Sequence, residues 1–238
     1  MKVLKMIETS YSRKDILNLL RNEYPDASED SLSYRLRKMQ DDNQFIRIGR
    51  NHYTVSSEKK IYRYSYSDTA SEIADHLCQN FYELDFRIFE LVQLNEFMNH
   101  QIAHNTIFLS VEQDLTDFVF DSLVRRYPGK TMLKPKPDDY FRYRQDDEIV
   151  ISRLPTESPK GTEMTWHSRL EKILVDITVD KLQRQIIPPS EYGNIFHNAY
   201  ECYFLDEKTM IRYARRRGAE AKFESALNQY APKENVKV

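Results

Sequence analysis

Five glycines and two cysteines in 238 residues set the first limits on this chain. Loops that cradle a nucleotide's phosphates need closely spaced glycines, so that the backbone can approach the ligand, and no such cluster occurs. Cys78 and Cys202 stand alone, without CxxC spacing and in apolar or amphipathic surroundings. They are expected as free, buried thiols rather than as a disulfide or zinc ligands. No apolar run approaches the roughly 20 residues needed to cross a bilayer, and the first residues lack the apolar stretch of a signal peptide, so a cytoplasmic location without membrane contact is expected. A global excess of positive charge is missing too, with 35 Lys and Arg against 37 Asp and Glu.

What is present fits a soluble, mostly helical protein with room for two domains: 40% of residues are hydrophobic and 30% charged. The charge is unevenly distributed. Residues 1–60 hold 12 Lys and Arg against 9 Asp and Glu, a net of +3, which leaves −5 on the remainder.

Periodicity organises the first 55 residues. Ser12 with Asp15 three positions on reads as a helix N-terminus, and Ile16, Leu19 and Leu20 then share one face of a helix to about Glu23. Tyr24-Pro25-Asp26 breaks that helix, because proline disfavours helical geometry in the residue before it. Ser28 caps a second helix, in which Leu32, Leu36 and Met39 fall in a narrow arc and must face the first. The opposite arc carries Asp30, Tyr34, Arg37 and Asp41, flanked by Ser31, Ser33 and Lys38. Residues 45–48 and 52–55 are β-prone runs around Gly49-Arg50-Asn51, which suits a hairpin turn.

Helix, turn, helix and hairpin is the order of a winged helix-turn-helix, a module that lays its second helix in the major groove of duplex DNA. Reach then assigns roles. Ser31, Ser33, Tyr34 and Arg37 are expected at base edges, and Lys38, Arg47, Arg50 and His52 on phosphates. The modest charge predicts salt-sensitive binding that needs two modules on paired half-sites.

Residues 56–71 are polar and tyrosine-rich and read as a connector. Beyond it, strands are expected at Phe86–Val92, Thr106–Val111, Thr131–Leu133 and Glu148–Ile151, with helices near Thr69–Tyr82, Asn95–His104 and Leu115–Tyr127 between them. From Thr165 the pattern is helical alone: Trp166, Leu170, Ile173, Leu174 and Ile177 on one face, then helices over Ser190–Tyr200 and Glu207–Arg217, and a last one carrying Phe223, Leu227 and Tyr230. The expected fold is α+β, with a winged helix-turn-helix over 1–57, a connector at 58–71, and a small α/β sheet with a C-terminal helical bundle over 72–238. Arg215-Arg216-Arg217 could touch nucleic acid, but cations in the last turn before Gly218 are also what the helix dipole favours.

Enzyme patterns are weak, and neither catalysis nor a cofactor is expected. Pro137-Asp138 with Glu148-Ile149-Val150, and Glu112 nearby, resembles a metal-dependent PD-(D/E)xK nuclease, yet Val150 stands where the lysine belongs. This degenerate nuclease is the alternative reading; Asp138 and Asp139 more plainly read as a polar loop after Lys134-Pro135-Lys136-Pro137. His100 and His104 lie four apart on an expected helix, but Gln101 replaces the glutamate of an HExxH site. The Gly-Ser and paired aspartates of a nucleotidyltransferase are absent, and no nucleophile-elbow spacing occurs.

Residues 49–54 (Gly-Arg-Asn-His-Tyr-Thr), 107–112, 149–151, Leu170 to Asp176 and Tyr213 to Arg217 resemble the AbiEi-type antitoxins, and more closely an uncharacterised bacterial branch related to them. The resemblance spans nearly the whole chain through short, mostly apolar motifs. It implies an N-terminal winged helix that represses its own operon at an inverted repeat in the promoter. It also implies a C-terminal antitoxin domain that counteracts a nucleotidyltransferase-like toxin encoded beside it, without a stable complex, as in type IV abortive-infection systems. Glu171 and Asp176 fall in the implied antitoxin motif, although Lys172 and Asp176 alone read as an i,i+4 pair on an exposed face. The aromatic 61–105 segment departs from the usual antitoxin pattern.

Overall fold

Ser12 closes a two-residue strand and opens a helix. The computed structural model describes residues 11–25, 27–41, 45–49, 52–55 and 60–232. The chain divides into two units, the first running to Ile61 and including Cys202–Asp206, the second taking Tyr62–Glu201 and Glu207 onward.

In the first unit, β1 (Tyr11–Ser12) leads into α1 (Arg13–Glu23), followed by α2 (Glu29–Asp41) and a hairpin of β2 (Phe45–Gly49) and β3 (His52–Val55). Asp15 N–H donates to Ser12 Oγ at 3.2 Å and Ser12 N–H to Asp15 Oδ2 at 2.9 Å, a reciprocal cap that satisfies two otherwise orphaned donors. Ser28 opens α2, its hydroxyl accepting from Ser31 N–H at 3.3 Å. The strands form one antiparallel sheet in the order β1-β3-β2, with Tyr11 opposite Tyr53 and Phe45 opposite Val55. Ile16, Leu17, Leu20, Leu32, Leu36, Tyr11 and Tyr53 make its core.

The second unit is built on a four-stranded mixed sheet, and the protein is α+β. After α3 (Asp68–Asn80) come β4 (Phe86–Glu90), β5 (Thr106–Val111), α4 (Thr116–Arg126), β6 (Thr131–Leu133), α5 (Pro137–Tyr143) and β7 (Glu148–Arg153), with sheet order β4-β5-β7-β6. β4 runs antiparallel to β5, whereas β5–β7 and β7–β6 are parallel. Central β5, Thr-Ile-Phe-Leu-Ser-Val, is buried along its whole length, its two hydroxyl residues included, as an inner strand covered on both faces is. α3 and α4 bring Ile73, Leu77, Val119 and Leu123 onto Ile107, Leu109, Ile149 and Ile151. Helices α6 (Leu170–Val179), α7 (Lys181–Ile186), α8 (Tyr192–Cys202), α9 (Glu207–Arg216) and α10 (Glu220–Tyr230) follow, with α6 packed against α7, α9 and α10.

Four expectations are corrected here. The strand from Phe86 stops at Glu90, where Glu90 N–H donates to Gln93 Oε1 at 2.8 Å and the chain tightens into a 3-10 turn over Leu91–Glu96. No helix spans Asn95–His104. Trp166 precedes α6 instead of lying on it, and its carbonyl accepts from Ile88 N–H at 2.8 Å, so that residues 166–168 cover the outer edge of β4. The expected polar loop after Lys136 is helix α5, with Pro137 in its first turn, where the missing N–H costs nothing.

The stretch expected as a connector is packed within the second unit from Tyr62 onward. The Tyr66 ring lies 4.8 Å from Trp166, and its hydroxyl donates to Ile88 C=O at 3.0 Å. Both cysteines are free, as expected, but exposed rather than buried.

Candidate nucleic-acid interface

α2 is sharply two-faced. Leu32 and Leu36 are 0% and 3% exposed, whereas Tyr34 is 67% exposed and Arg35, Arg37 and Lys38 also reach solvent. Ser31 and Ser33 lie half-buried beside them. The cause is the 3.6-residue repeat: once the leucine arc is buried against α1, the residues two positions away point outward.

The sequence reading missed Arg13. Its Nη2 donates to Ser33 Oγ at 2.8 Å, so Ser33 is already engaged and a further cation from α1 stands at the α2 face. Twenty residues separate the two in sequence, and no local pattern links them. Arg13, Lys14 and Arg21 also line an open cleft of about 520 Å³ on α1, with Ser12, Leu17, Asn18 and Glu29. Glu29 neutralises Arg21 in an exposed ion pair. The Arg35 guanidinium lies 4.0 Å above the Tyr24 ring, which directs it toward the end of α1. Of the other expected contacts, Arg50 lies outside the described residues, as do the side chains of Arg47 and His52.

The second unit holds a different arrangement. Lys172 Nζ donates to Asp176 Oδ2 at 2.6 Å, Arg217 pairs with the other oxygen of Asp176, and Arg217 also reaches Asp180 at 3.3 Å. The expected exposed pair is therefore corrected: Lys172 is 2% and Asp176 4% exposed. α6 is enclosed on every side: Leu170 to Thr178 are all buried, the charged Glu171, Lys172 and Asp176 included. Burial alone would raise the Asp176 carboxyl, but Lys172 and Arg217 more than offset it and hold the group below its ordinary value. Burial drives the Tyr213 hydroxyl well above its usual range. Glu171, also buried, is held by Arg169 through Nε at 3.0 Å.

The Arg215-Arg216-Arg217 tract is consumed in the same way. Arg215 Nε donates to Glu220 at 2.8 Å, Arg216 pairs with Glu157, and Arg217 closes the buried centre. Gly218, at φ +64°, ends the run in the left-handed conformation that a residue without Cβ adopts freely.

The two acidic residues of the nuclease pattern stand in different surroundings. Asp138 is exposed on α5, and Glu148 is buried at the start of β7, where burial raises its carboxyl and Gln145 N–H donates to Oε2 at 3.0 Å. His100 and His104 point to separate carboxylates: His100 Nδ1 is 2.6 Å from Glu191, and His104 contacts Asp146. Among the described residues, no group of three His, Cys, Asp or Glu side chains could hold a metal ion.

Fold and sites together define a two-unit α+β protein, with a cationic outer helix face in the first unit and a closed ionic centre in the second. Residues 31–233 match DUF6577, a family of unknown function, and the chain belongs to that family. No curated protein matches it. Among solved structures it is similar to the crystal structure of the RV2827C protein from Mycobacterium tuberculosis, at 10% identity and a TM-score of 0.33, over 95% of this chain and 78% of that one.

Proposed function

We propose that the protein is a DNA-binding transcriptional regulator whose first unit acts as a winged helix, with the outer face of α2 entering the major groove. The observation that carries this reading is the division of α2: Leu32 and Leu36 anchor it, while Tyr34, Arg37 and Lys38 project from the opposite side. A strand, two helices and a hairpin joined as one β1-β3-β2 sheet support it, because that arrangement backs the outer helix with a rigid core. Arg37 is assigned to a base edge, where a guanidinium can contact guanine in two places, and Lys38 and Arg13 to phosphates.

The resemblance to AbiEi-type antitoxins extends the proposal to repression at an inverted repeat in the chain's own promoter and to counteracting a nucleotidyltransferase-like toxin. Because Glu171 and Asp176 are turned inward, their part in an antitoxin is to hold the second unit in shape. Other residues would meet the toxin's effects.

The test is fluorescence anisotropy of the full chain on its own upstream duplex and on a scrambled duplex. Arg37→Ala is expected to weaken the cognate duplex roughly ten- to a hundred-fold and the scrambled one far less. Equal loss on both removes the base-reading role, and absence of any preference for the upstream duplex in the unmodified chain removes the regulator.

A further inference from the structure

A strongly basic stretch of this chain lies outside the first unit. Residues 125–145 carry seven Lys and Arg against two Asp, a net of +5, so a chain whose total is −2 carries −7 everywhere else. This excursion leaves α4, forms β6 at the edge of the sheet, turns through α5 and returns as β7. Lys134, Lys136, Arg142 and Arg144 are all exposed, and none of them is in an ion pair among the described residues. The contrast with Arg215, Arg216 and Arg217, each matched to a carboxylate, is direct.

Aromatic rings lie among these cations. Phe141 is 43% and Tyr143 60% exposed, although large apolar rings are ordinarily covered. Guanidinium groups accompany them: Arg144 is 5.7 Å from the centre of Phe141, and Arg142 is 5.9 Å from that of Tyr143. Their support is fixed from beneath. Tyr140 is fully buried with its hydroxyl 2.6 Å from Thr106 Oγ1, Pro137 is buried beside it, and the edge strand is tied down by Lys134 N–H donating to Ile151 C=O at 2.8 Å.

We propose that the exposed surface of α5 and the β6 edge binds single-stranded nucleic acid, with unpaired bases stacking on Phe141 and Tyr143 and the phosphates lying along Lys134, Lys136, Arg142 and Arg144. Charge complementarity requires a polyanion, and the rings narrow the choice. A duplex keeps its base faces stacked inside the helix and offers such rings nothing, whereas an unpaired strand offers a π-face at every nucleotide. Base faces and phosphates are common to DNA and RNA strands, so the two are one occupant. This surface belongs to the second unit and the α2 face to the first, and the proposal holds whether or not α2 reads a duplex.

The experiment is anisotropy of the full chain with labelled dT20 and U20, in low and in physiological salt. Binding of the two within a few-fold of each other is expected. Phe141→Ala/Tyr143→Ala is expected to weaken both at least ten-fold while leaving duplex binding unchanged, and Phe141→Trp/Tyr143→Trp to restore them. Arg37→Ala/Lys38→Ala is expected to leave dT20 binding intact, which separates this surface from the regulator's reading face. Unaltered dT20 binding by the double-alanine variant with an unchanged circular dichroism spectrum overturns the proposal. So does polyglutamate that displaces dT20 as effectively as unlabelled strand does, because the surface would then suit an acidic polypeptide.

Discussion

Lys172 Nζ and Asp176 Oδ2 are 2.6 Å apart at a point in the second unit that neither side chain leaves for solvent. Removing one member strands the other as an uncompensated charge, which in a protein interior costs about 3–5 kcal/mol, whereas removing both leaves no buried charge of the pair unmatched, and the partly exposed Arg217 keeps Asp180 as a partner. Asp176→Ala is therefore expected to destabilise the second unit by that amount, and Lys172→Met/Asp176→Leu by much less. Trp166 is the chain's one tryptophan and is buried in that unit, so its fluorescence in urea follows this transition specifically.

The same carboxylate sets an acid limit. Asp176 titrates below its ordinary 3.8, so its folded form holds fewer protons than its unfolded form across the interval between the two values. Its contribution is complete above about pH 4 and is lost as pH falls through the depressed value. Acid titration of the Trp166 signal is expected to show the second unit opening at low pH, with a flatter profile in Lys172→Met/Asp176→Leu. An identical acid limb in both proteins would sink this assignment.

Glu148 has the opposite sign. Its carboxyl is raised by burial, so its contribution is greatest below the ordinary 4.5 and is lost as pH rises through the raised value. Glu148→Gln keeps an oxygen for the Gln145 N–H and removes the charge. A gain in second-unit stability of about 1 kcal/mol at pH 7.5 that shrinks at pH 4 is expected.

Tyr140 holds the support of the basic surface through one hydroxyl contact with Thr106. Tyr140→Phe leaves the buried Thr106 oxygen without that partner and is expected to cost about 1–2 kcal/mol. Urea midpoints followed by Trp166 measure it.

At the first unit, Arg13 and Lys38 are assigned to phosphates and Arg37 to a base. Arg13→Ala and Lys38→Ala are each expected to weaken cognate and scrambled duplexes alike and to flatten the slope of log K against log salt by about one. A loss confined to the cognate duplex would move either residue to the base-reading set.

Much of this was legible in the residues. The Ser12–Asp15 pair marked the start of α1 because a capping side chain acts within three residues. The Leu32 and Leu36 spacing identified the buried side of α2, and the run from Thr106 to Val111 marked the central strand. Illegible were the 3-10 turn after Glu90, the helix hidden behind Lys134-Pro135-Lys136, and the exposure of Cys78 and Cys202. Each depends on which distant segment lies alongside. Val92 N–H, for instance, meets Asn105 at 3.4 Å, and α5 is held by a threonine 34 residues earlier.

The order of residues determined by itself where helices begin, which arcs of them are apolar and where positive charge gathers, since caps, periodicity and charge act over three or four positions. Tertiary packing alone decided whether a charged pair faces water or the interior. Lys172 and Asp176 are neighbours on one helix in either case, but only the enclosure of α6 by α7, α9 and α10 removed their water and made each depend on the other. Solvation is a property of everything that surrounds a group, and one helix cannot specify what will cover it.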